Sequence, residues 1–263
     1  MASSRPSSRA PAAWIPLTAI GIALVALPMI GLLLRAPWSR IGEVLGDDAA
    51  LTALRLSLVV ATTASMLSLV TGFPLAWLLA RRPFAGKTLV RALVVMPLVM
   101  PPVVAGVGLL AAFGRRGVVG SLLDEWFELQ LTFTSGAAVL AAWFVSFPLA
   151  VLALEAGLRG LDDRLEDAAS TLGASRGYVL RRITLPLLAP QIAAAAVLSW
   201  ARALGEFGAT ITFAGNLRGR TQTLPLAVFE RLQTDPDAAF GLSLLLITVA
   251  FVVIFGLRGR FLR

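Results

Sequence analysis

Six apolar runs, each close to the length of a bilayer-crossing helix and almost free of charge, constrain this chain more than any other feature. They cover residues 14–34, 56–80, 92–113, 136–154, 187–204 and 240–257. A helix rises ~1.5 Å per residue, so ~20 apolar residues cross the ~30 Å hydrocarbon core of a bilayer. The runs are continuous and do not alternate in polarity, which selects helices over barrel strands. Composition agrees, since 57% of the 263 residues are hydrophobic and 14% charged, with a mean hydropathy of +0.83. The chain is predicted to be an all-α integral membrane protein with a single six-helix domain over 14–263. Before it lies a Ser/Pro/Arg-rich tail, residues 1–13, expected to be disordered. The first run exceeds the ~7–15 residues of a signal core and no small-x-small site follows it, so it is read as a retained span.

Basic residues set the expected orientation. With the amino terminus inside, the inner segments hold fourteen Lys and Arg, among them Arg81, Arg82, Lys87, Arg91 and Arg159, against eight outside. The positive-inside rule then places both termini and the 159–185 loop in the cytoplasm. A pI near 11.5 would suit nucleic acid, but these charges flank membrane spans, where the anionic headgroups of the lipid bilayer account for them. No nucleic-acid partner is expected. The absence of Cys and His removes disulfides, thiol chemistry, imidazole catalysis and the usual zinc ligands. Gly86-Lys87-Thr88 imitates the end of a P-loop, yet Arg81 stands where that motif requires Gly. No catalytic residue, metal site or cofactor is expected in this chain, so any ATP hydrolysis must come from another.

Three features interrupt the apolar runs. Pro97, Pro101 and Pro102 fall within the third span. Each removes a backbone donor and obstructs the preceding turn, so the helix must bend or break, either beside an aqueous route or to satisfy packing. Small residues recur in the second span (Ala61 to Ser68) and the fifth (Ala193 to Ala203, with Ser199), where close helix packing is the default. Arg202 and Glu206 lie one helical turn apart near the end of the fifth span, with Thr210 beyond them. An ionisable residue in a span needs a partner. The pair serves either as a structural brace or as a positive contact for a passing anion, with Glu206 holding the guanidinium. Outside the spans, the apolar stretches 126–133 and 224–229 are each long enough for a short interfacial helix or gate element.

The internal segment 159–185 is polar and helical in composition. Asp162 and Asp163 suit the start of a helix near Arg164, and Gly173 suits its end. A second helix is expected from Ser175 through Arg182, until Pro186 enters the next span. The result is a two-helix knob at the membrane surface, with small Ala168 and Ala169 permitting close approach and Glu166 and Asp167 offering charge.

The spacing Asp167-Ala168-Ala169, three residues, Gly173, nine residues, Ile183-x-Leu185-Pro186 resembles the EAA signature of permease subunits from bacterial and archaeal ATP-binding-cassette importers. The usual first Glu of that signature falls at Asp167, with Glu166 one place earlier, which leaves open which acid meets the partner. Ala201 to Thr210 and Gly215 to Leu226 look like the molybdate/tungstate branch, with sulfate permeases close by, and the resemblance runs from Leu51 to Leu257. It implies a type I importer fold acting as a homodimer on two copies of a cytoplasmic ATPase, which would hold the ATP and Mg2+. An extracytoplasmic oxyanion-binding protein would deliver cargo, and the setting would be a prokaryotic inner membrane. It further implies that Glu166, Asp167, Ala168, Ala169, Gly173, Ile183, Leu185 and Pro186 form the ATPase coupling loop. Pro97, Pro101, Pro102, Ser199, Arg202, Glu206 and Thr210 are the candidates for the path or gate. An ion-coupled secondary transporter is the rival expectation, with Glu155 and Glu206 its sole candidate carboxylates, neither expected in a discontinuous helix pair.

Overall fold

The computed structural model describes residues 14–261, and the tail expected to be disordered over 1–13 lies outside them. Every regular element among the described residues is helical. In chain order these are α1 (Trp14–Arg35), α2 (Ile41–Gly46), α3 (Asp48–Arg81), α4 (Lys87–Val99), α5 (Pro102–Phe113), α6 (Gly120–Phe127) and α7 (Ser135–Gly160). They continue with α8 (Asp163–Thr171), α9 (Arg176–Val179), α10 (Leu185–Leu204), α11 (Gly208–Phe213), α12 (Leu224–Thr234) and α13 (Pro236–Phe261). Five helices are long and apolar enough to cross a membrane: α1, α3, α7, the run Arg176–Leu204, and α13.

The α4–α5 pair supplies a sixth crossing only if counted as one broken span, because its halves diverge by 119°. Of the bend or break expected over 92–113, the structure shows a break, with the first half starting earlier, at Lys87. Pro101 and Pro102 delete two successive donors, so α4 closes with Met100 N–H on the Met96 carbonyl at 3.1 Å and α5 restarts with proline in its first turn. At 13 and 12 residues, neither half reaches across a bilayer alone.

Helices α3, α7 and α10 form the centre. Ala61, Ala64, Ser65, Ser68, Gly72 and Ala76 of α3 are buried, as are Ala138, Ala141, Ala142 and Ala150 of α7. Small side chains let the backbones approach until contact replaces the missing hydrophobic drive between helices in lipid. A Cβ on Gly157 of α7 would lie 2.6 Å from Gln191 of α10, so no larger residue fits there without movement. Side-chain hydrogen bonds cross-link the seam: buried Ser65 Oγ lies 2.8 Å from Ser199 Oγ, and Trp200 donates its indole N–H to Thr62 at 3.2 Å. Helix α1, by contrast, buries no residue.

At the end opposite the 163–184 elbow, the apolar stretch 126–133 is mostly not helical. Helix α6 starts earlier, and stops where Glu128 enters the left-handed region at φ 51°, followed by Phe133 at φ 60°. The 224–229 stretch is helical and extends to Thr234 as α12. Its start is fixed by Leu224 N–H donating to Ser57 of α3 at 2.6 Å.

Candidate functional site

The elbow is built by capping. Asp162 accepts from Arg164 N–H at 3.0 Å and opens α8. The helix closes with Gly173 N–H on the Ser170 carbonyl and Ala174 N–H on the Ala169 carbonyl, both 3.0 Å. Those two bonds, with Gly173 at φ +86°, are a Schellman turn. Ser175 then accepts from Tyr178 N–H at 3.3 Å to start α9. The expected second helix does not stop before Pro186. It passes through a π-turn, Leu180–Thr184, directly into α10, with Leu185 N–H bonded five residues back to Leu180. Pro186 cannot donate to the ladder, and a wide turn just before it accommodates the loss.

The two acids separate in role. Glu166 turns inward, where its Oε1 accepts from Thr184 Oγ1 at 2.8 Å and lies 3.4 Å from Arg81 Nη2 at the end of α3. Asp167 is exposed, and among the described residues its carboxylate has no hydrogen bond or ion pair. The alanines also divide: Ala168 is exposed, whereas Ala169 is half-buried. Leu165, Ala168 and Leu172, spaced to share one helix face, are exposed, Leu172 by 88%. Ile183 and Leu185 are half-buried and Pro186 exposed, flanking the Thr184 that holds Glu166. Sequence reasoning missed Arg81, Thr184 and Leu172. The Ile-x-Leu-Pro spacing pointed at Thr184, but nothing local signals Arg81, 85 residues from its partner.

Among the remaining candidates, Arg202 Nη1 donates to Glu206 Oε2 at 2.7 Å. Glu206 is not on the same helix, because α10 ends at Leu204. It sits in the break before α11, where its Oε1 accepts Ala209 N–H at 2.8 Å and so caps that helix. This corrects the expectation that it lies outside any discontinuous pair. The two helix breaks meet: a Cβ on Gly208 would lie 2.6 Å from Pro102 Cβ, and one on Gly106 would lie 2.6 Å from Thr212 Cβ. Pro101 and Pro102 are exposed and Arg202 half-buried, whereas Pro97, Ser199 and Thr210 are buried within the chain.

At the opposite end, Glu230 of α12 accepts from Arg218, Asn216 and Gln222. The Arg218 guanidinium holds its carboxyl below the usual carboxylate range, with further lowering from Gln222 and Asn216 outweighing partial burial.

A helical bundle with a broken span and a capped polar elbow defines the class of a multi-span membrane protein. A crystal structure of a bacterial alginate ABC transporter, in complex with an alginate-bound periplasmic protein, shares that fold. The TM-score is 0.76 at 16% identity, over 94% of this chain and 92% of that one. Residues 72–262 match the family described as binding-protein-dependent transport system inner membrane component. The chain belongs to that family and is a multi-pass inner-membrane protein. It is 44% identical over 248 residues, 94% of each chain, to the molybdenum transport system permease protein ModB of Mycobacterium tuberculosis. Its counterpart in Escherichia coli K12 is 46% identical over 79% of this chain and 90% of its own length. The sulfate transport system permease protein CysT of Salmonella typhimurium is 34% identical over 90% and 88%.

Proposed function

We propose that this chain is the permease subunit of an ATP-driven importer that brings molybdate into the cytoplasm, with tungstate and sulfate as chemically related cargo. The relatives that match across nearly the whole chain support the cargo class. The observation that carries the mechanism is the elbow, anchored inward through Glu166 while presenting Leu165, Asp167, Ala168 and Leu172 outward. Such a face suits a groove on a separate ATPase, with Asp167 offering the free charge and Leu172 the apolar contact. Both termini and the elbow are cytoplasmic in this account, in keeping with the basic residues gathered at that end. Two copies of the chain would enclose the path, each docking one ATPase, and a binding protein would deliver the oxyanion from outside. ATP and Mg2+ would be held by the ATPase alone, and the permease itself performs no chemistry. Closure of the ATPase pair drives the elbows together and shifts the bundle from inward-facing to outward-facing.

An ion-coupled transporter needs a carboxylate free to exchange protons or ions. Both oxygens of Glu206 are engaged, and Glu155 is ion-paired to Arg91 and Arg159, so neither supplies one. Reconstitution with the ATPase and binding protein in liposomes tests the proposal. Molybdate uptake should require internal-facing ATP and survive ionophores; uptake driven by an ion gradient without ATP would overturn it.

A further inference from the structure

Glu155, in the inner half of α7, is 5% exposed and holds two guanidiniums on one oxygen. Arg159 is one turn along the same helix at 2.7 Å, so it accompanies Glu155 wherever α7 goes. It also reaches the Leu79 carbonyl of α3 at 3.5 Å, within the central bundle. Arg91 comes from α4, and α4 is unlike the central helices. It is hinged at both ends, by Gly86 at φ +85° and by the break at Met100–Pro101, and its outer face (Leu89, Leu93, Met96) is bare. Its hold on the bundle comes from Val90, from buried Val94 and Pro97, and from the Arg91–Glu155 pair.

We propose that Glu155 is a positioning residue for transport, and that Arg91–Glu155 is a detachable tie which docks the α4 arm in one transport state and releases it in the other. This rests on the permease function proposed above. A buried carboxylate stripped of its only partner would resist release strongly. Here Arg159 stays behind to satisfy Glu155, so α4 can leave without orphaning a buried charge. Arg91, half-exposed already, passes to water or a lipid headgroup at little cost. Beyond the hinge, α5 stays locked onto α11 beside Arg202 and Glu206 through its glycine contacts, so the arm turns about that fixed end.

The two arginines are therefore not equivalent, and this is testable in the assembled complex with ATPase and binding protein. Arg91→Gln frees the arm: membrane abundance should hold while ATP hydrolysis without cargo rises about threefold or more and molybdate moved per ATP falls. Arg159→Gln leaves Arg91 as the sole partner and pins the arm, so hydrolysis and uptake should fall together. Arg159→Lys keeps the charge and should largely restore both, which separates pinning from misfolding. Because the chain lacks Cys, nitroxides on Leu89→Cys and Ala156→Cys report the α4–α7 distance by double electron resonance. Wild type should switch between two distances with trapped ATP, Arg91→Gln should show the longer one without nucleotide, and Arg159→Gln should favour the shorter. A wild type that transports while this distance stays fixed, or two Gln variants that shift every readout in the same direction, would overturn the tie. A wild-type complex that shows no ATP-dependent uptake would instead remove the permease proposal itself.

Discussion

Replacing Gly173 tests the elbow without a steric complication. A Cβ at this position meets nothing within 4 Å in this chain, so any effect of Gly173→Ala on the permease itself reports backbone conformation, and the larger Asn separates that from a clash with the ATPase. The left-handed geometry at φ +86° costs a non-glycine residue about 1–2 kcal/mol, and Asn distinctly less. Among the described residues, helix α8 buries no side chain fully, and it is pinned by its caps and by Glu166, so little surrounding packing opposes its rearrangement. At 1.4 kcal/mol per tenfold, the ratio of docking-competent to incompetent elbow falls about 5-fold to 30-fold, and apparent affinity for the ATPase falls by at most that factor. Binding of purified ATPase to permease in nanodiscs, measured by interferometry, should weaken by that factor for Gly173→Ala and much less for Gly173→Asn. Hydrogen exchange should show the Gly173 and Ala174 amides losing protection in step. Unchanged affinity for the Ala variant would show that docking does not need this turn.

Other perturbations follow from the same geometry. Thr184→Val removes a hydrogen bond to a charged acceptor, worth about 1.5–3 kcal/mol, and should raise amide exchange across α8 while leaving α10 protected. Arg202→Gln alone strands Glu206, whose side chain is 2% exposed, and should lower folded protein in the membrane, since breaking a buried pair costs about 3–5 kcal/mol. The double change Arg202→Gln with Glu206→Gln should restore abundance; uptake still reduced in it would assign Arg202 to the anion path, and full uptake would make the pair a brace. Glu230, held ionised by Arg218, contributes stability that is present above the ordinary carboxylate range and lost as pH falls through its lowered folded value. The melting difference between wild type and Glu230→Gln should therefore be constant near neutrality and vanish in strong acid.

Spans α1, α3, α7 and α13 were legible in the sequence because apolar length is a local property. So was the break at Pro101–Pro102, though not its 119° extent, which follows from how α5 packs on α11 through Gly106 and Gly208. The elbow's start and Gly173 stop could be read from capping chemistry. Its inward anchor could not: Glu166 meets Arg81 and Thr184 only through tertiary approach. The π-turn escaped because helix composition continues unbroken across Leu180–Thr184. Glu206 was placed one turn along from Arg202, a correct distance but the wrong element, since Gly205 ends the helix before it. The Arg91–Glu155 pair joins residues 64 apart, beyond any local pattern.

The most direct test of the account is a single thiol at Leu172, the exposed tip of the elbow, in a chain that otherwise has none. With Leu172→Cys in an actively transporting complex, a short maleimide cross-linker should capture the ATPase subunit, with a yield that changes when ATP is trapped. An elbow that never cross-links to the ATPase, in a complex that still imports molybdate at the wild-type rate, would contradict the central claim.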